Sequence, residues 1–206
     1  MTFDWNAHRF SGGVLALDLA NTVIFRETPD RAMDRFSDRG ELERFAAAAA
    51  HFRKQEWGKV KFQPPREQAE VDRIVDVREA INALFRTAVR GGGLRPDALA
   101  TFLKLGSVLV FDESMTQNLA WPNPGSAVQG EERKLSLGTA AFLSAMRLLE
   151  PARLERIKIC PNCHWLYFDE SRNRSRRWCD MTVCGNRAKA QRHYRRNRGQ
   201  PEHDHA

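Results

Sequence analysis

The chain has 206 residues, of which 42% are hydrophobic and 29% charged, enough apolar material for a real core and too much for a wholly disordered chain. The net charge of +7 is lopsided: residues 151–206 hold 13 Lys+Arg against 6 Asp+Glu, while residues 1–150 hold 20 of each. The whole excess therefore belongs to the last quarter, which excludes a uniformly basic protein and marks a second module with an anionic partner or an anionic compensation of its own.

The opening MTFDWNAHRF carries charges and lacks an apolar core ahead of a small-residue cleavage site, so it does not read as a signal peptide. VLALDLA and the alanines 46–50 are too short or too interrupted to span a bilayer. The expectation is a soluble, cytoplasmic protein without a membrane partner, in whose reducing surroundings four cysteines hold a metal more readily than they form two disulfides.

Along the first 150 residues the patterning is mainly helical. VLALDLANTVIF, after Gly12-Gly13, fits an alternating strand or a helix with Leu15, Leu19 and Val23 on one face, and the helix is preferred. Ser37 and Asp38 offer caps before ELERFAAAAAHF. After Pro64-Pro65, the segment PREQAEVDRIVDVREAINALFRTAVR places Val71, Ile74, Val77 or Arg78, Ile81, Phe85 and Ala88 on one stripe, and the glycines 91–93 stop it. Asp97 is placed as the cap of ALATFLKL. SVLVFD and QNLAW, richer in β-branched and aromatic residues, predict a small β-hairpin. PNPGSAVQGEE is loop by composition, and KLSLGTAAFLSAMRLLE reads as a central bundle helix ended by Pro151.

Asp18 interrupts the apolar LALDLA, and Arg78 falls on the apolar stripe of the long helix. A buried charge must be paired or it costs several kcal/mol, so Asp18 and Arg78, joined by Asn21, are the candidate buried pair; the other reading makes them the floor of a ligand pocket.

The four cysteines follow the pattern Cys160-x2-Cys163-x15-Cys179-x4-Cys184. A C-x2-C turn aims two thiolates at one ion, and a second pair after a loop completes a tetrahedron. Zn²⁺ is the preferred occupant over rubredoxin-type iron or a redox dithiol, and the second spacing counts against rubredoxin. Four cysteine ligands close the shell, so the metal is structural: catalytic zinc keeps a position open. WLYFDE and RRWC, joined by the polar SRNRS, predict a hairpin, and RAKAQRHYRRN a helix behind the last ligand, the arrangement of a treble-clef finger. His164 and His193 are left as surface or outer residues.

The segment CPNCHWLYFDESRNRSRRWCDMTVCGNRAKAQRHYRR resembles the CGNR zinc finger, named for the motif that stands here as Cys184, Gly185, Asn186 and Arg187. LALDLANT and VREAINALF resemble the helical ABATE domain that precedes this finger, with residues 25–65 left unmatched. The resemblance implies a bacterial, stress-related transcription regulator, with an RNA-binding ribbon-like finger as a further family description. The expected architecture is a mainly α helical domain at 1–152, serving as a sensor for a small-molecule ligand or as a homodimerisation unit, a finger at 153–198 and a disordered tail at 199–206.

Arg172, Arg174, Arg176 and Arg177 lie about the expected hairpin bend, and Arg187, Lys189, Arg192, Arg195 and Arg196 on the helix; guanidinium groups at this spacing can straddle phosphates. Asn186 and Gln191 are placed to read base edges, and Trp178 and Tyr194 to stack on unpaired bases. The competing readings are neutralisation of a zinc–thiolate centre that is formally 2−, a solvated face, pairing with Asp169, Glu170 or Asp180, and a protein-interaction or dimerisation finger that binds no nucleic acid. The chain shows no phosphate loop, G-x-S-x-G or H-E-x-x-H, and no enzyme is expected.

Overall fold

The computed structural model describes residues 3–110 and 133–198. Helix α1 (Leu15–Ala20) lies at the centre of the protein, and all six of its residues are buried. A segment apolar on every side has no face to give to water, so LALDLA becomes a short core helix rather than a surface one. It ends before a two-residue antiparallel pair, β1 (Val23–Ile24) with β2 (Met33–Asp34).

Helix α2 (Arg39–Phe52) starts where expected, with the Asp38 carboxylate accepting from the Gly40 N–H. A single turn, α3 (Lys54–Trp57), leads into β3 (Val60–Gln63). The long helix α4 (Gln68–Gly91) buries the predicted stripe, Val71, Ile74, Val77, Arg78, Ile81, Phe85 and Ala88, and adds Ala80 and Leu84. It ends on Gly92 in the left-handed conformation, as the glycine run implies.

Helix α5 (Pro96–Val110) begins one residue ahead of Asp97, whose carboxylate pairs with Arg95. It also runs through Ser107–Val110, so the first arm of the expected hairpin is helix. β-branched and aromatic enrichment over four residues is a weak signal, and continuity with the preceding apolar period prevails. The second arm, QNLAW, and the loop PNPGSAVQGEE lie outside the described residues. The strand pairing that does form is parallel, β3 with β4 (Arg133–Ser136). Ser136 then caps α6 (Leu137–Leu148) through the Thr139 N–H, and α6 packs against α1 and α4. One turn, α7 (Pro151–Leu154), leads to the C-terminal region.

There β5 (Ile157–Ile159) pairs antiparallel with β6 (Leu166–Phe168). β6 is buried throughout, and alternation along residues 165–168 divides the segment between two clusters: Leu166 and Phe168 enter the main core with Ile157, while Tyr167 and the preceding Trp165 pack with the cysteines. Asn21 holds this strand like an added edge, its Oδ1 accepting from Leu166 N–H at 3.0 Å and its Nδ2 donating to the Leu166 carbonyl at 2.8 Å. Gly12 C=O accepts from Phe168 N–H at 2.8 Å. Asn21→Leu strands both Leu166 groups, and a loss of about 1–3 kcal/mol is expected in urea unfolding; an unchanged midpoint would show that the strand is held by apolar packing alone.

Asp18 and Arg78 are both buried, but they do not meet. Asp18 Oδ2 takes Arg53 Nε at 2.5 Å, and its Oδ1 takes the Gly12 N–H at 2.9 Å. A Cβ at Gly12 would stand 2.7 Å from that oxygen, which is why glycine precedes α1 at this point. Arg53 also binds the carbonyls of Phe10 and Gly13, tying down the loop before the helix. Arg78 instead forks onto Asp34, with both N–O distances 2.7 Å, and its Nε reaches Glu79 at 2.9 Å. Asn21 joins neither pair. The two true partners, Arg53 and Asp34, stand in polar stretches where hydrophobic periodicity carries no signal.

Candidate metal centre and basic helix

The first cysteine pair sits on the turn that joins β5 to β6. Cys160 N–H donates to Trp165 C=O, and His164 N–H donates to Cys160 C=O, both at 2.9 Å. His164 takes a positive φ of 59° to close this turn. The second pair is presented by a π-helical turn, Met181–Gly185, whose entry is capped by Asp180: its Oδ1 accepts from the N–H groups of Thr182 and Val183. Cys179 and Cys184 thus stand at the two ends of one capped turn, opposite the β5–β6 turn.

The Sγ atoms of Cys160, Cys163, Cys179 and Cys184 all lie within 4.8 Å of one another, with Cys163–Cys179 at 3.4 Å and Cys179–Cys184 at 3.6 Å. Tetrahedral zinc with bonds of about 2.3 Å spaces its sulfurs about 3.8 Å apart, so the set fits such an ion with only small adjustments. Three of the four cysteines are buried, and no disulfide joins any of them. The His164 ring turns away to Glu27, with Nδ1 at 3.0 Å, and His193 is exposed on the final helix.

The expected pairing of WLYFDE with RRWC is corrected: β6 pairs with β5, and residues 176–179 form no strand. The reason lies in Arg176 and Asp169. Arg176 lies 5.2 Å from the Tyr167 ring and donates to the carbonyls of Trp178 and Cys179, so it serves as a brace within the bend. Asp169, fully buried, gathers Lys158 Nζ at 2.7 Å, the Ser171 hydroxyl at 2.6 Å and the Arg176 N–H at 3.0 Å. Burial opposes its ionisation, yet Lys158 and Ser171 hold the carboxyl well below the usual carboxylate range. Arg174 pairs with Glu155 at the surface. Arg172 and Arg177 are exposed and form no ion pair among the described residues.

Helix α8 (Asn186–Asn197) follows Cys184 after a single residue and buries none of its side chains. The motif residues divide the work. Cys184 supplies a sulfur; Gly185 leaves room where a Cβ would lie 2.5 Å from Met181 Sδ; Asn186 donates to the Thr182 carbonyl at 2.8 Å and locks the turn to the helix. Arg187 is exposed at the helix start. Lys189, Arg192, Arg195 and Arg196 are exposed likewise, and among the described residues none of these five forms an ion pair. Trp178 is half-buried against the cysteine cluster, whereas Tyr194 is exposed with Arg198 over its ring at 4.4 Å.

The finger is fastened to the N-terminal segment as well. His8 Nδ1 lies 2.8 Å from Asp180 Oδ2, and the His8 ring stacks on Trp165 at 5.3 Å. Nothing in the patterning of MTFDWNAHRF signals these contacts, because they join residues more than 150 positions apart.

This is a four-cysteine finger built onto a helical domain, with a bare basic helix behind the last ligand. Residues 156–197 match the CGNR zinc finger. Residues 13–152 match ABATE, the family described as "putative stress-induced transcription regulator", and the chain belongs to that family. No curated protein and no solved structure matches the chain. Among the described residues, no helix is long and apolar enough to cross a membrane.

Proposed function

We propose that this protein is a cytoplasmic transcription regulator that binds nucleic acid, duplex DNA in preference to RNA, through its basic finger. On this reading Cys160, Cys163, Cys179 and Cys184 hold a structural Zn²⁺. Residues 1–152 form the sensing or dimerisation unit, residues 153–198 the finger and residues 199–206 its tail.

The observation that carries the reading is α8 itself. It has no acidic residue, no buried residue and five basic side chains without ion pairs among the described residues. A helix polar on every side gains nothing from packing, so its sequence is better explained by a partner than by the fold. A helix about 10–12 Å across fits the B-DNA major groove, about 12 Å wide, and not the deep, narrow major groove of A-form RNA. Single-strand stacking is disfavoured because Trp178 is engaged in the finger, which leaves the exposed Tyr194, with Arg198 over its ring, as the lone platform of the two. The interface we propose is Arg187, Lys189, Arg192, Arg195 and Arg196 on the helix, with Arg172 and Arg177 beside it. Arg176 and Asn186 are committed to the finger's own turns, and Arg174 to a surface pair with Glu155.

Binding should weaken steeply with salt, since each neutralised phosphate releases counterions. Arg192→Ala with Arg196→Ala is expected to lower the slope of log K against log salt by about one to two units while leaving the melting temperature unchanged. Absence of binding to pooled duplex DNA and to RNA at low salt would transfer the finger to the protein-interaction reading.

A further inference from the structure

Arg35 directly follows β2 and is 1% exposed, yet its guanidinium forms no hydrogen bond or ion pair among the described residues. Its Nε is shut off from solvent without a partner. Instead the group lies among three aromatic rings, 5.4 Å from the Trp165 centroid, 5.6 Å from Trp5 and 5.8 Å from Phe3. Cation–π contacts orient a guanidinium but supply no acceptor for its N–H groups. Arg78, also buried, and Arg53, half-buried, each have a carboxylate within 2.7 Å, whereas Arg35 has none among the described residues.

The surroundings add positive charge. Burial draws the Arg35 pKa down to about 10, the charge of Arg9 acts in the same direction, and Glu41 only partly offsets them. Glu41 is itself taken up by Phe3 N–H, Trp5 Nε1 and Arg44. Burial lowers the pKa of the half-buried Arg9; the charge of Asp4 partly offsets this, and that of Arg187, the last residue of the CGNR motif, adds to it. A line of three cations therefore runs from the buried Arg35 through Arg9 to the exposed start of α8, and none of the three is ion-paired among the described residues. It follows the seam between the N-terminal segment and the finger, with Trp5 on one side and Trp165 on the other.

We propose that this seam is a binding site for a small oxyanion, of which inorganic phosphate is the simplest member, with Arg35 as its buried anchor and Arg9 and Arg187 completing the charge. A compact anion is the occupant that the burial of Arg35 admits; a nucleic-acid backbone cannot follow it below the surface. Such a ligand would satisfy the free guanidinium N–H groups and neutralise three like charges at once. Because Trp165 belongs to the finger and Trp5 to the N-terminal segment, its binding would draw the two together and place a ligand beside the first basic residue of α8. The proposal goes beyond nucleic-acid binding by the finger and does not depend on it.

The test uses the full zinc-loaded chain. Phosphate is titrated at constant ionic strength against a chloride control, with tryptophan fluorescence and melting temperature as readouts. A saturable response at concentrations on the order of 1 mM or below is expected, absent with chloride. It should weaken by about tenfold or more in Arg9→Ala and vanish in Arg35→Met. Should Arg35→Met fail to fold, Arg9→Ala and Arg187→Ala, both at less buried positions, carry the test. A response no greater than the chloride control, or unchanged in both surface variants, overturns the site. A phosphate response that Arg192→Ala with Arg196→Ala leaves unchanged, while the salt slope of DNA binding falls, supports a free anion and separates this site from the proposed interface. A response lost in that double variant shows that phosphate was occupying the α8 face, and overturns the site too.

Discussion

Replacing Cys184 with serine, or withdrawing the metal with a chelator, is expected to unfold residues 156–197 and to lower the melting temperature of the helical domain with them. The finger has little core of its own: Trp165 and Tyr167 pack with the cysteines, and Trp178 covers them partly. Without a cation the four thiolates, all within 4.8 Å, repel one another or retain their protons, and a small metal-held module of this kind loses most of its folding free energy. β6 carries the damage inward. Ile157, Leu166 and Phe168 belong to the main core, and each buried apolar side chain of this size contributes roughly 1.5–3 kcal/mol. Their combined loss is comparable with the whole stability of an ordinary domain, about 5–15 kcal/mol. Circular dichroism melts with and without chelator, beside a zinc stoichiometry, would show one cooperative transition moving downward. A helical transition that keeps its midpoint after the metal has left would mean that the finger is an independent appendage.

That coupling is only partly legible in the sequence. The cysteine spacing marks out four sulfurs that the fold brings within 4.8 Å of one another, and Asp38 and the glycine run mark real helix ends. The stripe on α4 is legible because twenty-four residues sample the helical period many times. Short elements are not. Four residues at Ser107–Val110 look like a strand and continue a helix, and the parallel pairing of β3 with β4 joins segments some seventy residues apart that carry no local sign of one another. The hairpin of the finger is mispaired by pattern for the same reason: WLYFDE and RRWC are short and β-prone, and the true pairing goes with contacts of the buried Asp169 to Lys158 and to the Arg176 N–H that pattern alone does not reveal. Asn21 belongs to neither buried ion pair, yet it is the side chain that joins α1 to β6.

The buried charges give the second large effect. Arg53→Met leaves the Asp18 carboxylate, fully enclosed, without its counter-charge, and Glu56 stands close enough to add repulsion. Burial already lifts the Asp18 pKa from 3.8 to about 7, against the pull of Arg53, and burial raises Glu56 in the same direction. A carboxyl whose pKa is higher in the folded than in the unfolded state holds its proton more tightly when folded. Stability is therefore greatest below the unfolded value and falls as pH rises towards about 7, by at most about 1.4 kcal/mol per pH unit for each such group. Loss of Arg53 moves the Asp18 pKa higher still. At about pH 8 the variant should lose about 3–5 kcal/mol, the cost of stranding a buried charge. At about pH 5.5 Asp18 is neutral in both proteins, and the loss should shrink to about 1–2 kcal/mol for the hydrogen bonds to the Phe10 and Gly13 carbonyls. Arg78→Met is the control. Its partner Asp34 is 39% exposed and, although burial opposes it, is held below the usual carboxylate range by the Arg78 fork. The stranded carboxylate can hydrate, so a loss of about 1–3 kcal/mol is expected, with no relief between these two pH values because Asp34 stays ionised across the window. Urea midpoints of the two variants at both pH values separate the cases: equal losses from Arg53→Met at each pH would show that Asp18 does not take up a proton in the folded protein.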